Sequence, residues 1–462
     1  MKAIIFTSAL GILAMISEII GLKKIILPLL IVGLLLTIGV NIYTEWNYTQ
    51  VYYGMMLADN YYVAFSTVLL SITVLWLLLS SESYLNEEYN RGDHYALILF
   101  STVGGLLLVS FNNLATLFMG VEILSIPLYI LAGSDKNNKY SIEASIKYFL
   151  LGSFATGIML LGIALLYGAT GTFDLGLIAQ YNAKNMDNTL YYGGTLLLTL
   201  SFAFKVSAVP FHFWAPDVYT GAPTFITAFM SAFVKVAAFA GFYHFIQQAY
   251  LSIPLPMENT IILLSGATIL VGNIAAVYQT DMKRILAFSG IAQAGYLLLL
   301  LPIQGELGKS SLLVYLIAYG IANLPAFYVL YKVSRIGGST NLESFEGLGK
   351  KQPILALVLT LSMISLAGLP PAAGFFGKFY LFTLSINNGY LWSVLIAVIG
   401  SLISIYYYFK VIIRMYTSTE STTGDSSLSP SLQVYVTLVV LLVSILILGL
   451  FPDILVSIGR LL

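Results

Sequence analysis

Apolar stretches of roughly twenty residues recur along the whole chain, and nothing else in the sequence constrains the fold as tightly. They run near 2–21, 25–43, 61–81, 94–111, 113–132, 144–168, 190–213, 222–249, 259–279, 284–302, 310–333, 353–387, 391–415 and 432–456. A helix crossing the hydrocarbon core of a bilayer needs ~20 such residues. The pattern predicts an all-α, polytopic membrane protein with about fourteen transmembrane helices. Composition agrees: the 462 residues are 58% hydrophobic and 9% charged, against roughly 25% charged in soluble domains. That leaves too few charges to cover a water-exposed surface. The opening "MKAIIFTSALGILAMISEIIGLKK" lacks an A-x-A-like cleavage site and reads as a retained first span.

Several function classes fall away on composition. Basic and acidic residues balance at 21 each, so no basic excess points to nucleic acid. The absence of cysteine excludes disulfides and thiolate-held iron–sulfur clusters. His94, His212 and His244 show no metal-ligand spacing, and no glycine-rich phosphate loop follows a strand pattern.

Charge placement orients the spans. Connections after odd-numbered spans carry Lys23, Lys24, Arg91, Lys136, Lys139, Lys283, Arg284, Lys332, Arg335, Lys350, Lys351, Lys410 and Arg414, whereas those after even-numbered spans carry Lys184 and Lys309. By the positive-inside rule the odd connections are cytoplasmic, and both termini lie outside. Apart from Lys2 and Arg460 at the ends, this leaves Lys147, Lys205, Lys235 and Lys378 inside predicted spans. Glu122, in "FMGVEILSIPLYI", is the clearest carboxylate at similar depth, while Glu18 lies closer to a helix end and can snorkel.

Two spans are interrupted. Pro210 breaks the seventh, in "KVSAVPFHFWAPDVYTGAP", and Gly368, Pro370, Pro371 and Gly374 break the twelfth, in "SLAGLPPAAGFFGKF". Lys205 precedes the first break and Lys378 follows the second. Interrupted spans at corresponding positions point to a transporter built from repeats. The spacing suggests two inverted five-helix repeats, 94–249 and 259–415, between an amino-terminal three-helix segment, 1–93, and a carboxy-terminal helix in 416–462. A charge at bilayer depth costs ~3 kcal/mol on insertion scales, and a proline inside a helix costs ~3 kcal/mol, so their proximity calls for a function. Proton transfer supplies one. Lysine ordinarily titrates near ~10.4; burial lowers that value and a nearby carboxylate raises it, so the residue can be poised to exchange a proton. Arginine stays charged, and all four intramembrane basic residues are lysine. Lys147 lies near a helix start and can snorkel; His212 is an accessory candidate.

The blocks "GVEILSIPLYILAG", "KVSAVPFHFWAPDVYTGAPTFITAFMSAFVK", "TDMKRILAFSGIAQAGY" and "SLAGLPPAAGFFGKFYLF" occur in this order between about Asn112 and Arg414. Together they resemble the antiporter-like membrane subunits of respiratory complex I, the proton-translocating NADH:quinone oxidoreductase. The L type ends in a long lateral helix, which this chain does not show, and the M type usually has glutamate at the position of Lys378, so the N type fits best. The resemblance implies that Glu122 pairs with Lys205, that Lys235 is the connecting lysine of the eighth span, that Lys378 serves the exit side, and that Lys147 is accessory. It implies no cofactor on this chain, with NADH, FMN, iron–sulfur clusters and quinone on other subunits. The implied partners are M-type and small K/J-type membrane subunits, membrane lipids and protons, in a bacterial cytoplasmic membrane. A subunit of a multisubunit sodium/proton antiporter shares the fold and much of the motif set, and is the alternative reading.

The cysteine-free background makes the topology testable. A cysteine replacing Asn137 should resist a membrane-impermeant thiol reagent added from the periplasmic side and react once the cytoplasmic face is opened. Periplasmic labelling would invert the assignment.

Overall fold

The computed structural model describes residues 1–21, 25–85, 91–184, 188–417 and 430–459; Lys23, Lys24 and Arg460 lie outside them. The amino-terminal segment is α1 (Lys2–Ile20), α2 (Ile26–Glu45) and α3 (Asn60–Leu85). Next come α4 (Arg91–Leu108), α5 (Leu114–Ala132), α6 (Lys139–Thr170) and the short α7 (Leu175–Lys184). The seventh expected span is two helices, α8 (Thr189–Lys205) and α9 (Trp214–Gly221). The eighth is continuous but irregular: α10 (Thr224–Phe229), a π turn at Met230–Val234, then α11 (Lys235–Ala249). α12 (Leu255–Val277), α13 (Met282–Leu298) and α14 (Glu306–Gly337) follow. After the short α15 (Leu348–Lys351), the twelfth span is again divided, into α16 (Pro353–Ala367) and α17 (Ala373–Asn387). α18 (Leu391–Tyr416), α19 (Leu432–Leu450) and α20 (Pro452–Gly459) complete the chain.

Every expected apolar stretch therefore contains helix, the seventh, twelfth and last with interruptions. Among the described residues, 10 helices or continuous helical runs are long and apolar enough to cross a membrane by length and composition. Three features depart from the sequence expectation. The fold is not purely helical: β1 (Gln50–Tyr52) and β2 (Met56–Ala58) form an antiparallel hairpin. Its turn uses successive left-handed residues, Tyr53 at φ 52° and Gly54 at φ 67°, the backbone hand that joins twisted strands. The connection after the sixth span contains α7. The last span divides at Pro452, which opens α20.

Helix starts follow local capping chemistry. Asn113, Asn138, Asn188 and Asp281 accept hydrogen bonds from the first free amides of α5, α6, α8 and α13. Glu18 accepts from Gly92 N at 2.9 Å, placing a carboxylate at the positive end of α4.

The run from α10 to α11 is buried along its apolar stretch and α14 along most of its own, while α1, α2 and α18 present apolar side chains outward. Pairing of α4 with α5 and of α6 with α8 and α9 recurs five spans later as α12 with α13 and α14 with α16 and α17. The α4–α5 crossing is close enough to require glycine. A Cβ on Gly104 would stand 2.1 Å from the backbone nitrogen of Leu124, two residues beyond Glu122. Gly104→Val should push the pair apart, with a loss of ~1–3 kcal/mol or more, measurable as a lowered melting temperature and reduced membrane content of the assembled protein.

Candidate functional site

The first break begins where α8 ends at Lys205. Residues 206–213 are irregular, and the backbone they free is paired inside the protein rather than left to lipid. Ala208 N donates to Ala203 O at 2.8 Å, and Val209 N donates to Thr268 Oγ1 at 3.0 Å. The Trp214 indole donates to Phe204 O at 3.0 Å. Pro210, which has no amide hydrogen to satisfy, follows a cis Val209–Pro210 bond, and Ser207 adopts φ 58°.

Lys205 is 5% exposed. Its ammonium donates to Ser125 Oγ at 2.6 Å and Tyr129 OH at 3.4 Å, and stands 5.7 Å over the Tyr129 ring. Ser125 and Tyr129 follow Glu122 by three and seven residues on α5, so all three share one helix face. Glu122 itself is half-buried. Among the described residues no direct ion pair joins it to Lys205, contrary to the pairing that the resemblance implied. The ammonium lies against the next turn of α5, where a hydroxyl receives it.

Lys235 comes directly after the π turn. It is 2% exposed, and its ammonium donates to the carbonyl of Gly290 on α13 and to Ser207 Oγ at 3.4 Å. The connection from the seventh to the eighth span is thus direct: Lys235 touches the break that Lys205 begins. Within the π turn, Ser231 Oγ bonds Asn323 Oδ1 on α14 at 2.7 Å. A π turn adds a residue to one helical turn and so rotates the side chains beyond it; the first of these is the lysine.

Lys378 lies on α17 and reaches back across the second break. Its ammonium donates to Ala367 O, the last carbonyl of α16, at 2.8 Å and stands 4.8 Å over the Tyr296 ring. Gly368 makes this possible twice over. It adopts φ 77°, and a Cβ there would lie 2.6 Å from Lys378 Cδ. Pro370 and Pro371 form the rest of the break, joined by a cis bond. On the far side a Cβ at Gly449 of α19 would meet Pro371 O at 1.9 Å, so α19 closes directly over the break.

The accessory candidates lie apart from this line. Lys147 is 40% exposed and ion-paired with Glu143 at 2.7 Å and Asp217 at 2.9 Å; Asp217 also meets Arg284 at 3.4 Å. These four charged residues line a cavity of about 610 Å³, so Lys147 belongs to an open, charge-paired site rather than to the buried row. His212 lies in the first break, and its Nδ1 has no hydrogen-bond partner among the described residues. Lys283 was expected in a connection, yet it is buried and donates to Ala222 O at 2.6 Å and Thr220 O at 3.2 Å. The signal was its place in the "TDMKRIL" block, but adjacent Arg284 made it resemble an ordinary loop charge. No cluster of three or more His, Cys, Asp or Glu that could hold a metal occurs among the described residues.

Lys205, Lys235 and Lys378 therefore stand at three successive helix irregularities and share neutral oxygen partners. Groups of this kind can accept and release protons without covalent chemistry.

Known proteins match this chain in sequence and in fold. Residues 111–404 fit the family described as NADH:quinone oxidoreductase/Mrp antiporter, TM. The chain is 57% identical over 459 residues to NADH-quinone oxidoreductase subunit N of Cytophaga hutchinsonii, covering 99% of each. A chain of respiratory complex I from Thermus thermophilus superposes with a TM-score of 0.84 at 31% identity, covering 98% of each. A chain of the Mrp complex from Dietzia sp. gives 0.87 at 21% identity, which speaks to the fold alone. The chain belongs to the NADH:quinone oxidoreductase/Mrp antiporter transmembrane family, on the branch of the NADH-quinone oxidoreductase N subunits.

Proposed function

We propose that this chain carries protons across a bacterial cytoplasmic membrane as part of an NADH:quinone oxidoreductase, using energy released by electron transfer on other subunits. The observation that carries the reading is the row of buried lysines, each seated at an irregularity in its helix: the end of α8, the π turn before α11, and the break between α16 and α17. Intramembrane ionisable groups are expensive and mark ion or proton pathways. Irregular backbone at that depth belongs where it is buried or lines a water-filled path.

The proposed sequence is short. Glu122 on α5 and Lys205 at the end of α8 form the entry pair, with Ser125, one turn beyond Glu122, receiving the ammonium. A charge change at Glu122 alters the hold on Lys205, whose proton passes toward Lys235 through the region of Ser207. Lys235 passes it on toward Lys378, which serves the exit side. NADH, FMN, iron–sulfur clusters and the principal quinone site reside on other subunits in this reading. M-type and small K/J-type membrane subunits are the neighbours, and both termini face the periplasm. The subunit N relatives favour this over a freestanding sodium/proton antiporter.

Lys205→Arg distinguishes a proton carrier from a fixed positive charge, because arginine keeps the charge and does not deprotonate. In vesicles holding equal amounts of assembled complex, proton uptake per NADH oxidised should fall to roughly a tenth, close to the loss in Lys205→Ala. Near-parental uptake in the arginine variant would reduce Lys205 to an electrostatic anchor.

Glu122→Gln keeps size and hydrogen bonding while removing the charge. It should leave assembly intact and lower uptake strongly. Normal uptake in an intact complex would assign Glu122 a structural role.

A further inference from the structure

The stretch between Lys235 and Lys378 holds one buried group that neither lysine uses. Tyr319, on α14, is 3% exposed, and its hydroxyl has no hydrogen-bond partner among the described residues. A buried hydroxyl in that condition is costly unless water meets it. Beside it lies a cavity of about 10 Å³, lined by Tyr319, Tyr315, Gln293, Ser365, Gly377 and Lys378. That is room for a single water. The other polar lining groups already have partners. Tyr315 OH donates to Gln293 Oε1, and Gln293 Nε2 donates to Leu366 O at 2.8 Å. Ser365 Oγ accepts from Gly374 N at 3.2 Å, and Lys378 donates to Ala367 O. Tyr319 is the lining group with no partner of its own, and Lys378, which spends one of its N–H groups on Ala367 O, can bond the same occupant.

Tyr319 also faces the other lysine. A Cβ placed on Gly290 would lie 3.4 Å from Tyr319 OH and 3.5 Å from Lys235 Nζ. Both groups therefore border the same small space, kept open because position 290 has no side chain. The hydroxyl thus has Lys235 on one side and the cavity shared with Lys378 on the other.

We propose that Tyr319 and one water held in this cavity form the proton link between Lys235 and Lys378. The proposal rests on the lysine reading above. In the transfer, the Lys235 ammonium swings from the Gly290 carbonyl across the space beside Gly290 to reach the Tyr319 oxygen, and gives it a proton as the Tyr319 hydroxyl proton passes to the water. A water proton passes to the neutral Lys378 amine. Lys235 ends neutral and Lys378 ends charged, while tyrosine and water regain their starting protonation. Gln293 and Tyr315 fix the cavity wall and carry no proton, since their hydrogen bonds are committed to each other and to α16.

Tyr319→Phe tests this with little structural disturbance, because the hydroxyl it removes bonds no protein group. In vesicles with matched complex content, proton uptake per NADH oxidised should fall at least about tenfold, within what a positioned proton-transfer group contributes. Gly290→Ala is the second variant. Its methyl would make only ordinary contacts with both groups but would fill the space between them, and it should give a similar loss. A well-ordered water density within hydrogen-bond reach of Tyr319 OH and Lys378 Nζ is expected in a high-resolution structure of the parent complex. Parental uptake in both variants would overturn the link. Lys378→Ala, measured alongside, separates the two levels. If it also pumps normally, the lysine reading itself falls; if it loses pumping while Tyr319→Phe retains it, the link alone falls.

Discussion

Three buried ammonium groups held by uncharged oxygens set the terms for the rest of this structure. Lys205 rests on the hydroxyls of Ser125 and Tyr129, Lys235 on the Gly290 carbonyl and Ser207, and Lys378 on the Ala367 carbonyl. None has a carboxylate within ion-pair distance among the described residues. A carboxylate would hold an ammonium more firmly, because both partners of the hydrogen bond would then be charged. Neutral acceptors satisfy hydrogen bonds while leaving the charge less tightly held than an ion pair would, as the proposed proton transfer requires. Lys378 has a further source of support. Its partner is the terminal carbonyl of α16, at the negative end of a helix dipole, so the break that exposes backbone also supplies what the lysine needs.

Such an interior demands close and uninterrupted packing around it. Backbone meets backbone where Gly104 crosses α5 and where Gly449 crosses the second break. Those contacts leave little space around Lys205 and Lys378 except where polar groups define it. The π turn belongs to the same economy of shape. It keeps the eighth span continuous and buried while turning Lys235 toward α13, and Ser231 ties that irregular turn to α14.

The helices and both breaks were legible in the sequence because they rest on coarse signals: apolar length, loop charge, and proline with glycine in an apolar run. Lys205, Lys235 and Lys378 stood out for the same reason, as charges where none should be. What the sequence did not disclose depends on direction and distance. Whether Lys205 reaches Glu122 or Ser125 is a choice between positions one helical turn apart on a single face. Lys147 and Lys283 exchanged their expected characters. The first sits in a span yet is paired at an open cavity, while the second sits beside loop charges yet is buried. Side-chain reach and neighbouring carbonyls decide such cases, and neither is written in local composition. The hairpin escaped notice because three-residue strands offer almost no periodicity, and the π turn because no sequence rule marks it.

Lys283 carries a mechanical implication. Its buried ammonium on α13 grips the carbonyls of Thr220 and Ala222 at the far end of α9. Asp217, on the same short helix, meets Arg284 of α13 as well. The half-helix beyond the first break is thereby fastened to an element of the other half of the chain. It cannot swing outward alone without stripping a buried cation of its acceptors. Any displacement of α13 would therefore pull on α9, because two adjacent residues of α13 fasten the helix beyond Pro210 to it.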